Sequence, residues 1–166
     1  MIKAVLWDFG GVLTSSPFEA FNRYEQANGL PVDFIRSINA TNPDTNAWAQ
    51  FERNQMSAQA FDAAFAAESA ARGHSIGGHS VLALLSGDIR PRMVQALKQI
   101  KQSHAVGCIT NNVKSGQGAG MARSESKAQA VAEVMALFDT VIESSLVGIR
   151  KPNPEIYLMA CRALSI

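Results

Sequence analysis

Three short apolar runs divide this chain, at residues 2–7, 105–109 and 140–143, with helix-length segments between them. Ile2, Val5, Leu6 and Trp7 carry the first, Val106, Cys108 and Ile109 the second, Val141 and Ile142 the third. Each run is too short for a comfortable helix and rich in branched or large side chains, so each reads as a buried strand. Strands that alternate with helices predict a parallel sheet with helices on its faces. The expected class is α/β, Rossmann-like.

A long helical insertion interrupts this alternation after the first strand. Phe18, Phe21 and Tyr24 recur at helical spacing, and Asn28-Gly29 followed by Pro31 closes that segment. Phe34, Ile35 and Ile38 predict a second helix. Asn42-Pro43-Asp44 is turn chemistry, and Thr45 or Asn46 can cap a turn carrying Trp48 and Phe51. Ser57 suits the N-cap of the alanine-rich segment with Phe61 and Phe65, and a further short helix is expected near 80–85. The predicted division is a core of residues 1–16 and 88–166 around an inserted helical unit at 17–87. Within the core, helices are expected at 91–102, 127–137 and 155–164, and the Gly/Ser-rich stretch 114–126 as a mobile loop.

With 166 residues, 47% of them hydrophobic, the chain can build one compact core. Its formal net charge of +1, without a basic block, argues against nucleic acid as a partner. No apolar stretch approaches a membrane span, and the N-terminus lacks the pattern of a secretion signal. Cys108 and Cys161 have no metal-ligand spacing and are expected as buried free thiols, which suits a reducing cytoplasm.

The chemistry gathers where the strands end. Asp8 follows the first run, and Gly10 and Gly11 let the chain turn there and bring backbone amides close to a ligand. Thr110, Asn111 and Asn112 follow the second run, and Lys151 lies shortly beyond the third. Right-handed parallel crossovers place all three clusters at one sheet edge, where open α/β sheets bind ligands. A carboxylate, a hydroxyl with two amides and an ammonium then converge. That set suits Asp8 as a nucleophile on an electrophile with negative oxygens. Thr110, Asn111 and Asn112 would donate to those oxygens, and Lys151 would offset charge. Asn42, Asn46, Trp48 and Glu52 are candidates for the face of the helical unit above the site, although Trp48 and Phe51 fit its core equally well. Asp139 reads as a turn residue.

At these residues the chain resembles the haloacid dehalogenase superfamily of aspartate-nucleophile hydrolases. The stretch from Asp8 to Val12 is similar to its first motif, Ile109-Thr110-Asn111 to its second, and the stretch from Gly148 to Pro152 to its third. The helical insertion sits where that family places its cap. The stretch 42–51 and the run 150–157 most resemble the subgroup containing the phosphatase domain of soluble epoxide hydrolase. The resemblance implies a phosphatase acting on a small phosphorylated metabolite, with Asp8, Thr110 and Lys151 as catalytic residues. It also implies Mg²⁺ held by the Asp8 carboxylate and the Gly10 carbonyl, and substrate contacts from Gly11, Asn111 and Asn112.

Two departures from the family pattern bear on function. The family's phosphatases usually carry a second aspartate two positions after the nucleophile, and here that position is Gly10, which cannot protonate a leaving alkoxide. Alkyl phosphates should suffer most and acidic leaving groups least. The family's fourth motif, an acidic pair after a further strand that completes the Mg²⁺ site, has no counterpart before Ile166. The chain is therefore expected to be a truncated core with its first strand at an open edge, poor in Mg²⁺ binding and turnover. A metal-independent hydrolase of 2-haloacids and a non-catalytic phosphatase-like binding domain stay open as alternatives. The substrate and the oligomeric state are not set by these residues.

Overall fold

The computed structural model describes residues 2–166. Its sheet has three strands, β1 (Ala4–Trp7), β2 (Ala105–Thr110) and β3 (Thr140–Glu143), in the order β1-β2-β3. Both pairings are parallel, with Trp7 opposite Cys108 and Thr110 opposite Glu143. Parallel pairing brings the three carboxyl ends to one edge. Asp8, Asn111 and the loop to Lys151 leave the sheet there. β1 pairs on one side only among the described residues.

Five helices follow β1: α1 (Pro17–Ala27), α2 (Phe34–Ala40), α3 (Ala47–Glu52), α4 (Ala58–Ala70) and α5 (Gly78–Leu82). Their starts obey local chemistry. Ser16 caps α1 ahead of Pro17, Asn46 accepts from the Ala49 amide, and Ser57 accepts from the Ala60 amide. α2 starts differently. Its N-cap Asp33 is left-handed, at φ 59°, and its side chain caps nothing. The buried Glu25 carboxylate of α1 replaces it, accepting from the amides of Asp33 and Ile35 at 2.9 Å each. The five helices bury a shared core of Phe21, Ile35, Phe51, Phe61 and Phe65, with the rings of Phe51 and Phe61 stacked at 4.7 Å.

The chain enters and leaves this helical block side by side. Thr14 and Ile89 form an antiparallel bridge, the Ser15 amide donates to the Asp88 carbonyl, and the Arg90 amide donates to the Leu13 carbonyl. The helices α6 (Pro91–Lys101) and α7 (Glu125–Met135) then follow, and α8 (Ser144–Val147) and α9 (Pro154–Ala163) come after β3. β2 is buried from both sides. Val106 and Cys108 pack with Leu97 of α6 and Val131 of α7, while Ile109 packs with Ile156 and Ala160 of α9.

The stretch 114–126, expected as a mobile loop, closes on itself. Gln117 and Ala122 pair in an antiparallel bridge. A Cβ on Gly116 would stand 2.6 Å from the Met121 carbonyl oxygen, and one on Gly120 2.7 Å from a Val131 methyl. Glycine at both positions lets the turn close and lie against α7. Cys108 and Cys161 are both free; Cys108 is buried and Cys161 only partly so. No helix among the described residues is long and apolar enough to cross a membrane.

Candidate active site

Asp8 is the first residue past β1, and its side chain is 46% exposed. Its Oδ1 accepts from the Phe9 amide at 2.7 Å and pairs with Lys151 Nζ at 2.7 Å. Both contacts fall on one oxygen, Oδ1, and neither engages Oδ2. Lys151 Nζ also donates to the Ile109 carbonyl at 2.8 Å, so the end of β2 aims the ammonium at Asp8. Asn111 holds the same loop from the other side. Its Oδ1 accepts from the Lys151 amide at 2.9 Å, and its Nδ2 lies 3.2 Å from the Lys151 carbonyl. A side chain at the end of β2 thus fixes the backbone of the residue that pairs with Asp8.

These groups open onto a cavity of about 340 Å³ that is shared between the sheet edge and the helical block. Asp8, Gly10, Thr110, Asn111 and Lys151 line one side of it, and Trp48 and Glu52 of α3 line another. Phe18, Phe21, Leu85 and Met121 give the remainder an apolar character. The size falls within the range of small-molecule sites. Gly10 stands in open space, with nothing within 4 Å of where a Cβ would lie.

Glu52 is a buried carboxylate inside this cavity. Its Oε1 accepts from Trp48 Nε1 at 2.9 Å, and its Oε2 lies 2.5 Å from Arg150 Nε and 3.3 Å from Asn111 Nδ2. Burial raises its pKa, against the lowering charge of Arg150 and the hydrogen bond from Trp48. Arg150 Nε has no partner in hydrogen-bond geometry despite the short approach, so this pair is chiefly a contact between charges. Beneath Asp8, burial and then the Asp8 charge push the Cys108 thiol up to about 12. That thiol is neutral at physiological pH and no competing nucleophile.

Four residues expected as substrate contacts fall outside the cavity lining, and each has a structural task instead. Gly11 makes the turn after Phe9 at φ 80°. Asn112 is turned inward, where its Oδ1 accepts from Ser145, its backbone amide donates to Ser144 Oγ, and its Nδ2 donates to Glu143 at 2.6 Å. Asn42 is an exposed turn residue at φ 49°. Asn46 spends its side chain on capping, accepting from Ala49 and donating to the carbonyls of Asn39 and Thr41. The expected Asp8, Gly10, Thr110, Asn111, Lys151 and Trp48 all line the cavity, as does Glu52, a candidate for the face of the helical unit. Arg150 had no role assigned from the sequence. Its adjacency to Lys151, at the end of a loop aimed at the site, is the signal that could have found it.

A family model for haloacid dehalogenase-like hydrolases matches residues 2–166. The chain belongs to that family of hydrolases. Two mouse proteins are similar in sequence. Acyl-CoA dehydrogenase family member 10 is 28% identical over 99% of this chain and 15% of its own length. Bifunctional epoxide hydrolase 2 is 28% identical over 94% of this chain and 30% of its own length. The chain therefore spans less than a third of either curated relative. Among solved structures, a predicted HAD-like hydrolase from Porphyromonas gingivalis superposes with a TM-score of 0.63 at 19% identity, covering 100% of this chain and 78% of that one. An L-2-haloacid dehalogenase from Xanthobacter autotrophicus gives 0.61 at 17% identity, covering 100% and 66%. A HAD family enzyme from Bacteroides thetaiotaomicron gives 0.59 at 17% identity, covering 100% and 80%. These likenesses establish the shared α/β fold.

Proposed function

We propose that this hydrolase cleaves a small phosphorylated molecule through a phosphoryl group carried on Asp8. The observation behind the reading is the Asp8–Lys151 pair at 2.7 Å, which opens with Thr110 and Asn111 onto one small-molecule cavity. A free Asp8 oxygen attacks phosphorus in line, the bond to the leaving oxygen breaks, and its electron pair departs with that oxygen. Water then attacks the same phosphorus, releasing phosphate and restoring the carboxylate. Thr110 Oγ1 donates to the phosphoryl oxygens, Asn111 keeps the Lys151 backbone in place, and Lys151 offsets the phosphoryl charge.

Mg²⁺ takes hard oxygen ligands and commonly one or two carboxylates together with substrate phosphate and water. The Asp8 carboxylate and the Gly10 carbonyl fit that donor set, and a bound Mg²⁺ would supply further charge neutralisation to the phosphoryl group. The Bacteroides relative was solved in complex with magnesium and inorganic phosphate, which supports this reading. Gly10 offers no proton to a departing alkoxide. The substrate class that fits best is therefore an aryl or acyl phosphate, whose leaving group departs with little protonation.

A second reading has its own support. Halide leaves unprotonated, so Gly10 is no handicap to displacement at carbon. Among the described residues no group of three or more His, Cys, Asp or Glu is placed to hold a metal ion. The Xanthobacter relative was solved with chloropropionic acid covalently bound. A panel assay with and without chelator separates the two. Chelator-sensitive phosphate release from p-nitrophenyl phosphate or acyl phosphates is expected. Chelator-insensitive halide release from 2-haloacids, with no phosphate release, would replace the first reading by the second.

A further inference from the structure

We infer that Glu52 is a specificity residue: by occupying Arg150 it reserves the cavity for anions whose remaining body carries no second negative charge. The inference rests on the reading of the site as one for a small phosphorylated molecule.

The ionisable groups lining the cavity are two carboxylates, Asp8 and Glu52, and two cations, Lys151 and Arg150. Lys151 is committed to Asp8 at 2.7 Å and to the Ile109 carbonyl at 2.8 Å. Arg150 is committed to Glu52 at 2.5 Å and to the Pro43 carbonyl at 2.6 Å. Glu52 is itself held by Trp48 and Asn111, so it does not swing away to make room. An incoming group on the Arg150 side of the cavity therefore meets an arginine already neutralised, and beside it a fixed carboxylate.

A substrate carboxylate there would lie against Glu52 without a free cation, in a space poor in water, which is costly. An uncharged body would instead rest on Phe18, Phe21 and Leu85. The side-chain exposures of 18% for Arg150 and 7% for Glu52 show how little solvent is left to screen such a clash. The upward push of burial on the Glu52 pKa reports the same shortage of water around the carboxylate. Glu52 thus excludes by repulsion what the bare Arg150 would attract, which is how many sites achieve selectivity.

The test measures benzoate, a carboxylate on an apolar body without phosphate, by calorimetric titration of the full chain. Removing the Glu52 charge frees Arg150 for a charge-assisted hydrogen bond. Glu52→Gln should therefore bind benzoate roughly 10- to 100-fold more tightly than wild type. Adding Arg150→Met to that variant should remove the gain. Equal affinities in wild type and Glu52→Gln, or a gain that survives Arg150→Met, would overturn the inference.

The wild-type chain supplies an independent arm that does not depend on any variant folding. It should hydrolyse phenyl phosphate with a kcat/KM at least about tenfold above that for 4-carboxyphenyl phosphate. Equal values, or a preference for the carboxylated substrate, would also overturn the inference. If neither compound releases phosphate, the phosphatase reading fails, while the benzoate titration still decides the role of Glu52.

Discussion

Replacing Gly10 with aspartate should turn this hydrolase towards alkyl phosphates. Gly10 lines the cavity, its φ is not in the left-handed region, and a Cβ there would meet nothing within 4 Å. A side chain can therefore be added without strain or clash. The new carboxyl would stand two residues from Asp8, and the neighbouring negative charge would raise its pKa, as a proton donor requires. General acid assistance is worth ~10²–10⁴-fold, or about 3–5 kcal/mol of barrier. Its effect falls on poor leaving groups. The assay compares kcat/KM for an n-alkyl phosphate and for phenyl phosphate in wild type and Gly10→Asp. The alkyl-to-phenyl ratio should rise by ~10²–10⁴-fold. An unchanged ratio, in a variant that keeps its thermal midpoint and its turnover of phenyl phosphate, would refute the claim that leaving-group protonation is what this site lacks.

Other substitutions probe the parts that hold the site. Lys151→Met removes the cation paired with Asp8 and leaves the Ile109 carbonyl without its donor. Steady-state kinetics should show kcat reduced by ~10²–10³-fold. Gly120→Ala forces a methyl to within 2.7 Å of Val131 and should cost about 1–3 kcal/mol in denaturant unfolding. Asp139 is held below the usual carboxylate range by its hydrogen bond from Lys101, then by the Val106 amide. A depressed pKa contributes stability above the unfolded value of about 3.9 and loses it as pH falls through the folded value. Acid unfolding curves of Asp139→Asn should accordingly be flatter than wild type in that window.

Local chemistry makes most of the architecture legible in the sequence. Ser57 and Asn46 cap α4 and α3 because a short acceptor beside the first free amides does so in any context. The alternation of apolar runs with helical segments gave the parallel sheet, and with it the meeting of Asp8, Thr110 and Lys151. Contacts over long sequence distances were not readable. Glu25 caps α2 from ten residues away, and Glu52 meets Arg150 across the interface between helical block and sheet. Asn112 had the right type and place for a substrate contact. Hydrogen bonds with Ser144, Ser145 and Glu143 hold it inward instead, and neighbouring sequence carries no sign of that competition. The glycines at 116 and 120 lie close against Met121 and Val131, a packing role that the Gly/Ser-rich composition of their stretch does not reveal.

On the proposed mechanism Asp8 carries the transferred phosphoryl group. Rapid quenching of the enzyme during turnover of an acyl or aryl phosphate, followed by borohydride reduction, converts an aspartyl phosphate to the corresponding alcohol. Peptide mass spectrometry then locates it. The reduced side chain is expected at position 8, and Asp8→Asn should lack both it and all phosphate release. Continued phosphate release by Asp8→Asn, or a trapped group on any other residue, would contradict it.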